Sequence, residues 1–327
     1  MTHPPAFWTR DAWPARLLSP LSHIGAAMTA RRVNKPGWRA PVPVICCGNA
    51  TVGGAGKTTV VLDLARRLSA GGAAVHILLR GYRAGAWGTD RAGARGTHRV
   101  TPDDTAERSG DEALLLARVA PTWIGADRAA SARAAVEAGA DMLLMDDGLQ
   151  NPTLEKTFSL LVIDGATGFG NGRVLPAGSL REPVASAVSR CRAAVLIGPD
   201  ISGAASRLPP GFPVLRATLV QGEEVGALKG QRVFAFAGIA FPDKFFLGLE
   251  RAGVIISGRE AFPDHHLFRE ADLRRIEARA KALNAVLVTT PKDAVRLPPS
   301  IRAHTVVVDV RLVWENEAAL ASLLHTP

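Results

Sequence analysis

Residues 51–58 run Thr51-Val52-Gly53-Gly54-Ala55-Gly56-Lys57-Thr58, followed by Thr59. The stretch matches G-x-x-x-x-G-K-[ST] at every position except the first, where Thr51 stands. Three glycines free the backbone to wrap a polyphosphate, so that successive N–H groups and the start of a following helix face the anion. Lys57 can then reach the β- and γ-phosphates, and the Thr58 hydroxyl can enter the shell of a Mg²⁺ ion. The chemistry expected of this segment is the binding of a nucleoside triphosphate.

Carboxylates elsewhere have the residue types that such a site needs. Met142-Leu143-Leu144-Met145-Asp146-Asp147 is an apolar run ending in acid, which at the carboxyl end of a strand would set Asp146 or Asp147 beside a phosphate-bound metal. Two acids could also cap the turn that follows, although Gly148 makes a tight turn without needing both. Ser109-Gly110-Asp111-Glu112 precedes an apolar segment, and its spacing alone favours helix capping by first-turn acids over chemistry. Asp264-His265-His266, taken by itself, has the look of a solvated loop, and neither histidine has zinc-ligand spacing.

The elements that must position these residues follow from periodicity. Val42–Cys47 predicts a strand leading into the glycine-rich turn, and Thr58–Leu68 a helix with Val61, Leu64, Ala65 and Leu68 on one face. Strands are expected at 75–79, 122–125, 142–145, 160–163 and 194–197, with helices at 112–119 and 129–138. Wholly apolar strands alternating with helices imply an α/β fold: a P-loop NTPase-like, mostly parallel sheet with helices on both faces. Residues 84–110, rich in Gly, Arg, Thr and Asp, predict a long surface excursion. After the proline-rich stretch 209–213 a second series begins, with strands at 214–219, 232–236, 253–256, 285–289 and 305–310 and helices at 243–251, 270–282 and 315–324. The expected organisation is a surface helix with a basic flank over 1–40, a P-loop domain over 41–212 and a smaller α/β domain over 213–327.

Charge narrows the partners. A formal net charge of +9 calls for an anionic partner: nucleic acid, an acidic membrane surface or a phosphorylated small molecule. The arginines are scattered and there is one Tyr, so a stacking platform for nucleic acid is not supported and no nucleic-acid partner is expected. Three cysteines, two of them adjacent at 46 and 47, predict a reducing, cytosolic compartment and small buried side chains. Prolines and charges interrupt any signal-peptide core before residue 17, and no run approaches the ~18 apolar residues of a membrane span. Trp13, Leu17, Leu21, Ile24 and Met28 nevertheless recur at helical spacing, and Arg31, Arg32, Lys35 and Arg39 follow. Such a stripe is usually core, and Pro20 would kink this one, but the cations that follow bring the alternative, a face laid on an anionic membrane, level with it.

Taken together, PVPVICCGNATVGGAGKTT, LLRGYR, SGDEALLLAR, MDDGLQNP, LPAGSLREP, FPDHHLF and TTPKDAVRL, in this order over nearly the whole chain, resemble the tetraacyldisaccharide 4′-kinase family. The resemblance implies transfer of phosphate from ATP, with Mg²⁺, to the 4′-hydroxyl of a lipid-linked disaccharide 1-phosphate. It implies a monomer, peripheral or monotopic, on the cytoplasmic face of the bacterial inner membrane. Its fold would be two domains joined by a two-stranded linker, with the site in the cleft between them. Carried over by motif, Thr51–Thr59 hold the nucleotide, Lys57 and Asp111 are catalytic, and His265 pairs with Asp111 across the cleft. Thr58, Glu112, Asp146 and Asp147 organise the metal, while Tyr82, Gln150 and Arg181 contact phosphate or acceptor. The chain departs from the family pattern at Thr59, Ala113, Leu149 and Ser179, which neighbour the chemistry without carrying it. The rival expectation is a P-loop switch that hydrolyses nucleotide to change protein partners. Its guanine-specific form fails because Lys292 and Asp293 are adjacent after Thr290-Pro291, where that element needs a residue between them.

Overall fold

The computed structural model describes residues 5–81 and 96–325. In chain order the first half runs α1 (Trp13–Val33), β1 (Val44–Gly48), α2 (Lys57–Ala70), β2 (Val75–Leu79), β3 (Thr97–Arg99), α3 (Ala106–Ser109), α4 (Asp111–Ala117), β4 (Thr122–Gly125), α5 (Arg128–Glu137), β5 (Met142–Asp146) and β6 (Phe158–Asp164). The second half runs α6 (Val184–Val188), β7 (Ala193–Ile197), β8 (Val214–Gln221), α7 (Glu224–Leu228), β9 (Arg232–Ala237), α8 (Pro242–Arg251), β10 (Ile255–Ala261), α9 (Glu270–Ala282), β11 (Val286–Thr289), α10 (Pro291–Ala294), α11 (Pro299–Arg302), β12 (Thr305–Val307), β13 (Val310–Trp314) and α12 (Glu317–His325).

The strands form two sheets. Nine of them lie in the order β13-β8-β7-β6-β1-β5-β2-β4-β3, parallel except for the two edges, and four lie in the order β10-β9-β11-β12, all parallel. The period of two along each strand sends alternate residues to opposite faces. Cys47 with Ile45 and Leu144 therefore packs under α2, α4 and α12 on one face, while Cys46 with Val44, Leu143 and Met145 packs against α5 on the other. Both faces are covered, which is why these strands are apolar throughout.

Register positions the site. β1 lies between β5 and β6, and Cys47 stands opposite Asp146, so the acid that ends β5 comes level with the last turn of β1 before the glycine-rich loop. The carboxyl ends of a parallel sheet are where such folds hold ligands.

The structure departs from the expected elements at several points. The second series expected after 209–213 opens with β8, which pairs in parallel with β7, so the chain leaves the large sheet after Gln221 and returns to it at Val310. The single strand expected at 305–310 is two, since β12 joins the small sheet and β13 pairs antiparallel with β8. The strand expected at 253–256 begins at Ile255, because Gly253, at φ 85°, first turns the chain out of α8. The excursion expected over 84–110 holds β3 and α3, whereas residues 82–95, Tyr82 among them, lie outside the described residues.

Helix α1 turns the apolar stripe away from the core. Its narrow face of Ala15, Ser22 and Gly25 docks on the loop before α6: Ser22 Oγ donates to Val174 O at 2.6 Å, and a Cβ on Gly25 would stand 3.2 Å from Leu175 O. Arg173 fastens the same loop to Asp11 at 3.1 Å. The opposite face turns outward, leaving Trp13 75%, Leu17 70%, Ile24 60% and Met28 67% exposed. Among the described residues, no helix is long and apolar enough to cross a membrane.

Candidate active site

The phosphate-binding turn is built as its sequence requires. Gly53 and Gly56 take φ of 114° and 84°, left-handed values that a side chain resists, and Lys57 opens α2 directly after Gly56. A Cβ at Gly56 would also lie 2.6 Å from Ile197 Cδ1, whereas Gly53 and Gly54 have open space on that side. The loop is pinned from below, with Val52 N donating to Ser179 O at 2.8 Å and Arg181 N to Ala50 O at 2.7 Å. Gly56→Ala is expected to cost about 1–2 kcal/mol from the left-handed backbone alone. Thermal melting and an ATP titration should therefore both show a loss, and an unchanged melting temperature would count against a strained loop.

Lys57 lies along the loop with its Nζ 3.1 Å from Asn49 Oδ1 and 3.7 Å from Asp147 Oδ1. Thr58 Oγ1 donates to Asp146 Oδ2 at 2.9 Å, and the other oxygen of Asp146 is buried with no partner among the described residues. Burial pushes the Asp146 carboxyl up to about 7, with Glu112 and Asp147 adding to the effect and Lys57 opposing it. A buried acid with one idle oxygen beside a threonine hydroxyl is the donor set that a hard cation takes. The residues therefore fit Mg²⁺. Among the described residues, no group of three or more His, Cys, Asp or Glu side chains could hold a metal ion.

Asp147 is engaged differently. At φ 55° it turns back toward Arg181, whose Nη1 and Nη2 grip its two oxygens at 2.8 and 3.0 Å. Burial raises its pKa, but Lys57 and Arg181 outweigh that and hold it below the ordinary carboxylate value. Arg181, expected on a phosphate, and Asp147, expected on the metal, are thus partners of one another. Gln150 lies buried beneath them, donating to Asn49 O at 3.0 Å and to Glu182 Oε1 at 2.9 Å.

Across the cleft, three residues from the small-sheet side close on the acids that open α4. His265 Nδ1 lies 3.0 Å from Asp111 Oδ2, and the same oxygen is 3.6 Å from Arg296 Nη2 and 3.9 Å from Lys292 Nζ. Lys292 also pairs with Glu112 Oε1 at 3.0 Å. Burial raises the pKa of Asp111, yet His265, Lys292 and Arg296 together pull it down to about 2. The cations are held firmly. Arg296 donates to the carbonyls of Gly238, His266 and Lys292 and pairs with buried Asp293, which Thr290 Oγ1 and Gly238 N tie down at 2.6 and 2.9 Å. His265 itself sits at φ 60°, its N–H bonded to Gly238 O at 3.1 Å.

Lys292 and Arg296 were absent from the sequence-based list of site residues. Their stretch, TTPKDAVRL, was conspicuous, but nothing in its spacing marks a partner lying 181 residues earlier in the chain. Arg128 was also absent. It opens α5, is 2% exposed, donates to Gly125 O, and its Nε has no partner among the described residues. Burial lowers its pKa to about 10, against the pull of Asp147.

Comparison with known proteins shows the family. The sequence model of the family described as LpxK, tetraacyldisaccharide-1-P 4′-kinase, matches residues 14–326. A tetraacyldisaccharide 4′-kinase of Gluconacetobacter diazotrophicus is 57% identical over 98% of this chain and 97% of its own length. That of Rhodospirillum centenum is 49% identical over 98% and 95%. Among solved structures, LpxK from Aquifex aeolicus in complex with ATP superposes with a TM-score of 0.76 at 25% identity, covering 95% of this chain and 98% of that one. With a family match over almost its entire length and a P-loop facing a carboxylate–histidine pair, the chain belongs to the tetraacyldisaccharide-1-P 4′-kinase family.

Proposed function

We propose that this chain transfers the γ-phosphate of ATP to the 4′-hydroxyl of a tetraacylated disaccharide 1-phosphate in lipid A biosynthesis, working as a peripheral protein on the cytoplasmic face of the inner membrane. The observation that carries the proposal is the 3.0 Å contact between Asp111 and His265, which joins the two sheets beside the phosphate loop. The loop amides of residues 51–56 and Lys57 hold the triphosphate, and Thr59 continues the same helix turn. Thr58 and Asp146 would hold Mg²⁺, which when bound neutralises charge on the transferring group. Asp147 has both oxygens taken by Arg181, whereas Glu112 is paired with Lys292 through Oε1 alone and keeps Oε2 for the metal or its water. Asp111 accepts the proton of the acceptor hydroxyl, and His265 fixes its orientation. Gln150 and Arg181 keep the floor of the loop in register from below. A monomer supplies both halves of the site.

The two sheets mark the two domains we assign, one over 41–221 with 310–325 and the other over 222–309. β8 and β13 form the two-stranded linker between them. Access to acyl chains in a bilayer requires a membrane-seated enzyme, and the outward stripe of α1 with Arg31, Arg32, Lys35 and Arg39 after it supplies the seat. Leu17→Glu with Ile24→Glu is expected to weaken binding to anionic vesicles about tenfold or more, because two apolar anchors become charges, with the melting temperature little changed because both side chains are exposed. Unaltered sedimentation with vesicles would refute the seat.

The activity is tested with ATP and a tetraacyldisaccharide 1-phosphate, watching for a product with two phosphates. A rival reading, a nucleotide switch acting on a protein, requires ATP hydrolysis that proceeds without the lipid acceptor. Acceptor-independent turnover with no doubly phosphorylated product would overturn the kinase assignment.

A further inference from the structure

Where α1 ends lies a polar, partly open cavity that the catalytic cleft does not use. It measures about 360 Å³, within the range of roughly 300–1,000 Å³ that small ligands occupy. Val33, Lys35 and Gly37 form one wall, Pro152 and Lys156 another, and Arg190 closes the far side. The first two walls are locked together. Trp38 N donates to Thr153 O at 2.8 Å, Glu155 N donates back to Trp38 O at 3.0 Å, and a Cβ on Gly37 would meet Pro152 O at 2.6 Å. The cavity is therefore preformed by the backbone, at a segment that cannot open without breaking those bonds.

Its positive charge is compensated only in part. Lys35, Lys156 and Arg190 line it against a single acid, the exposed Glu155. Arg190 is balanced by Glu182 at 2.6 Å. Lys156 is the exception: its ammonium donates to the neutral carbonyl of Asn151 and has no carboxylate partner among the described residues. Burial pulls its pKa down and Arg190 and Arg128 add to that, so its positive charge stands at a cost that an anion would remove. A part-buried ammonium with N–H groups to spare, lining a partly open cavity beside two further cations, is complementary to a phosphate or phosphodiester.

We propose that this cavity binds the phosphate of an anionic lipid headgroup. The source follows from its place in the fold, since Val33 and Lys35 extend α1, whose Leu17, Ile24 and Met28 face outward as a membrane-seating stripe. A headgroup held there would fix the C-terminal end of α1 on the bilayer, complementing the nonspecific attraction of Arg31 and Arg32. The membrane seat is part of the functional reading above, but the cavity stands on its own geometry.

The test uses the full chain with a non-hydrolysable ATP analogue filling the phosphate loop. Flotation with vesicles of phosphatidylcholine containing about 30% phosphatidylglycerol is compared for wild type, Lys156→Met and Arg32→Met, the last removing an exposed charge outside the cavity. Loss of one nonspecific charge weakens binding about fivefold at most. Lys156→Met is expected to weaken it about tenfold or more, with no change on pure phosphatidylcholine and recovery in Lys156→Arg. In the second arm, millimolar inorganic phosphate should raise the melting temperature of wild type and not of Lys156→Met. A phosphate shift that depends on Lys156, together with vesicle binding no weaker than in Arg32→Met, would keep the phosphate site and reject the headgroup as its occupant. Equal losses for Lys156→Met and Arg32→Met, with the phosphate shift retained or absent in both wild type and Lys156→Met, would overturn the proposal. If Lys156→Met melts too low to compare, exposed Lys35→Met at the same cavity gives the reading in its place.

Discussion

Replacing Asp111 by asparagine is expected to lower turnover with the lipid disaccharide acceptor by about 10²-fold or more while the dissociation constant for ATP stays within about twofold of wild type. The two effects separate because Asp111 stands on the acceptor side. It contacts His265, Lys292 and Arg296, and none of its contacts is to Lys57, Thr58 or the glycine-rich loop. A carboxylate held at about 2 is ionised at every working pH and is a weak base toward a free alcohol. It takes the proton late, once the acceptor oxygen has begun to bond to phosphorus and its own acidity has risen. That timing suits a loose transition state, in which proton transfer supplies a modest part of the barrier reduction and charge stabilisation the rest. Asparagine keeps the shape but neither accepts the proton nor balances Lys292 and Arg296, so some loss of thermal stability accompanies the loss of turnover. Rapid-mix assays for product and calorimetry for ATP binding give the two numbers. Turnover equal to wild type would remove Asp111 from the role of base.

Much of the large sheet was legible because its physics is local. A strand buried on both faces is apolar along its length, and the runs expected at 142–145 and 194–197 are so at every position, with 75–79 broken only by His76. The phosphate loop was legible for the same reason: its glycines answer a backbone requirement that they meet where they stand. The edges were harder. β3 is a three-residue strand in a polar segment, and β13 follows β12 after two residues, so one apolar run served two sheets and hydrophobicity could not divide it.

In the site, the limits were those of long-range pairing. SGDE has the signature of a helix start, and it is one, with Gly110 at φ 86° preceding α4; its acids acquire chemistry only because His265, Lys292 and Arg296 arrive from another sheet. Family resemblance, not spacing, brought His265 to Asp111. The pairing of Arg181 with Asp147 was hidden in the opposite way. Each residue suited a ligand when considered singly, and their geometry satisfies each with the other, leaving Asp146 with an idle oxygen.

Lys57→Met is expected to have the larger consequence, a fall in kcat/KM for ATP of about 10³-fold or more. Removing one preorganised donor from developing charge costs about 10²–10³-fold, and here the donor is also the full positive charge nearest the loop. The lysine is almost closed off, its side chain 10% accessible, so water cannot stand in for it as it would for a surface cation. Its present partners show what it is held ready for. Asn49 Oδ1 at 3.1 Å and Asp147 Oδ1 at 3.7 Å fix the ammonium along the loop, yet Asp147 is already gripped by both arms of Arg181, so Lys57 can leave it for a phosphate without orphaning a charge. Methionine preserves the packing of the stem and deletes the charge, so the fold is expected to survive. ATP affinity and turnover should then fall together, in contrast to Asp111→Asn, where only turnover falls. A Lys57→Met protein that binds ATP as wild type does and loses turnover alone would show that the ammonium acts only on the transferring group and not on the bound triphosphate.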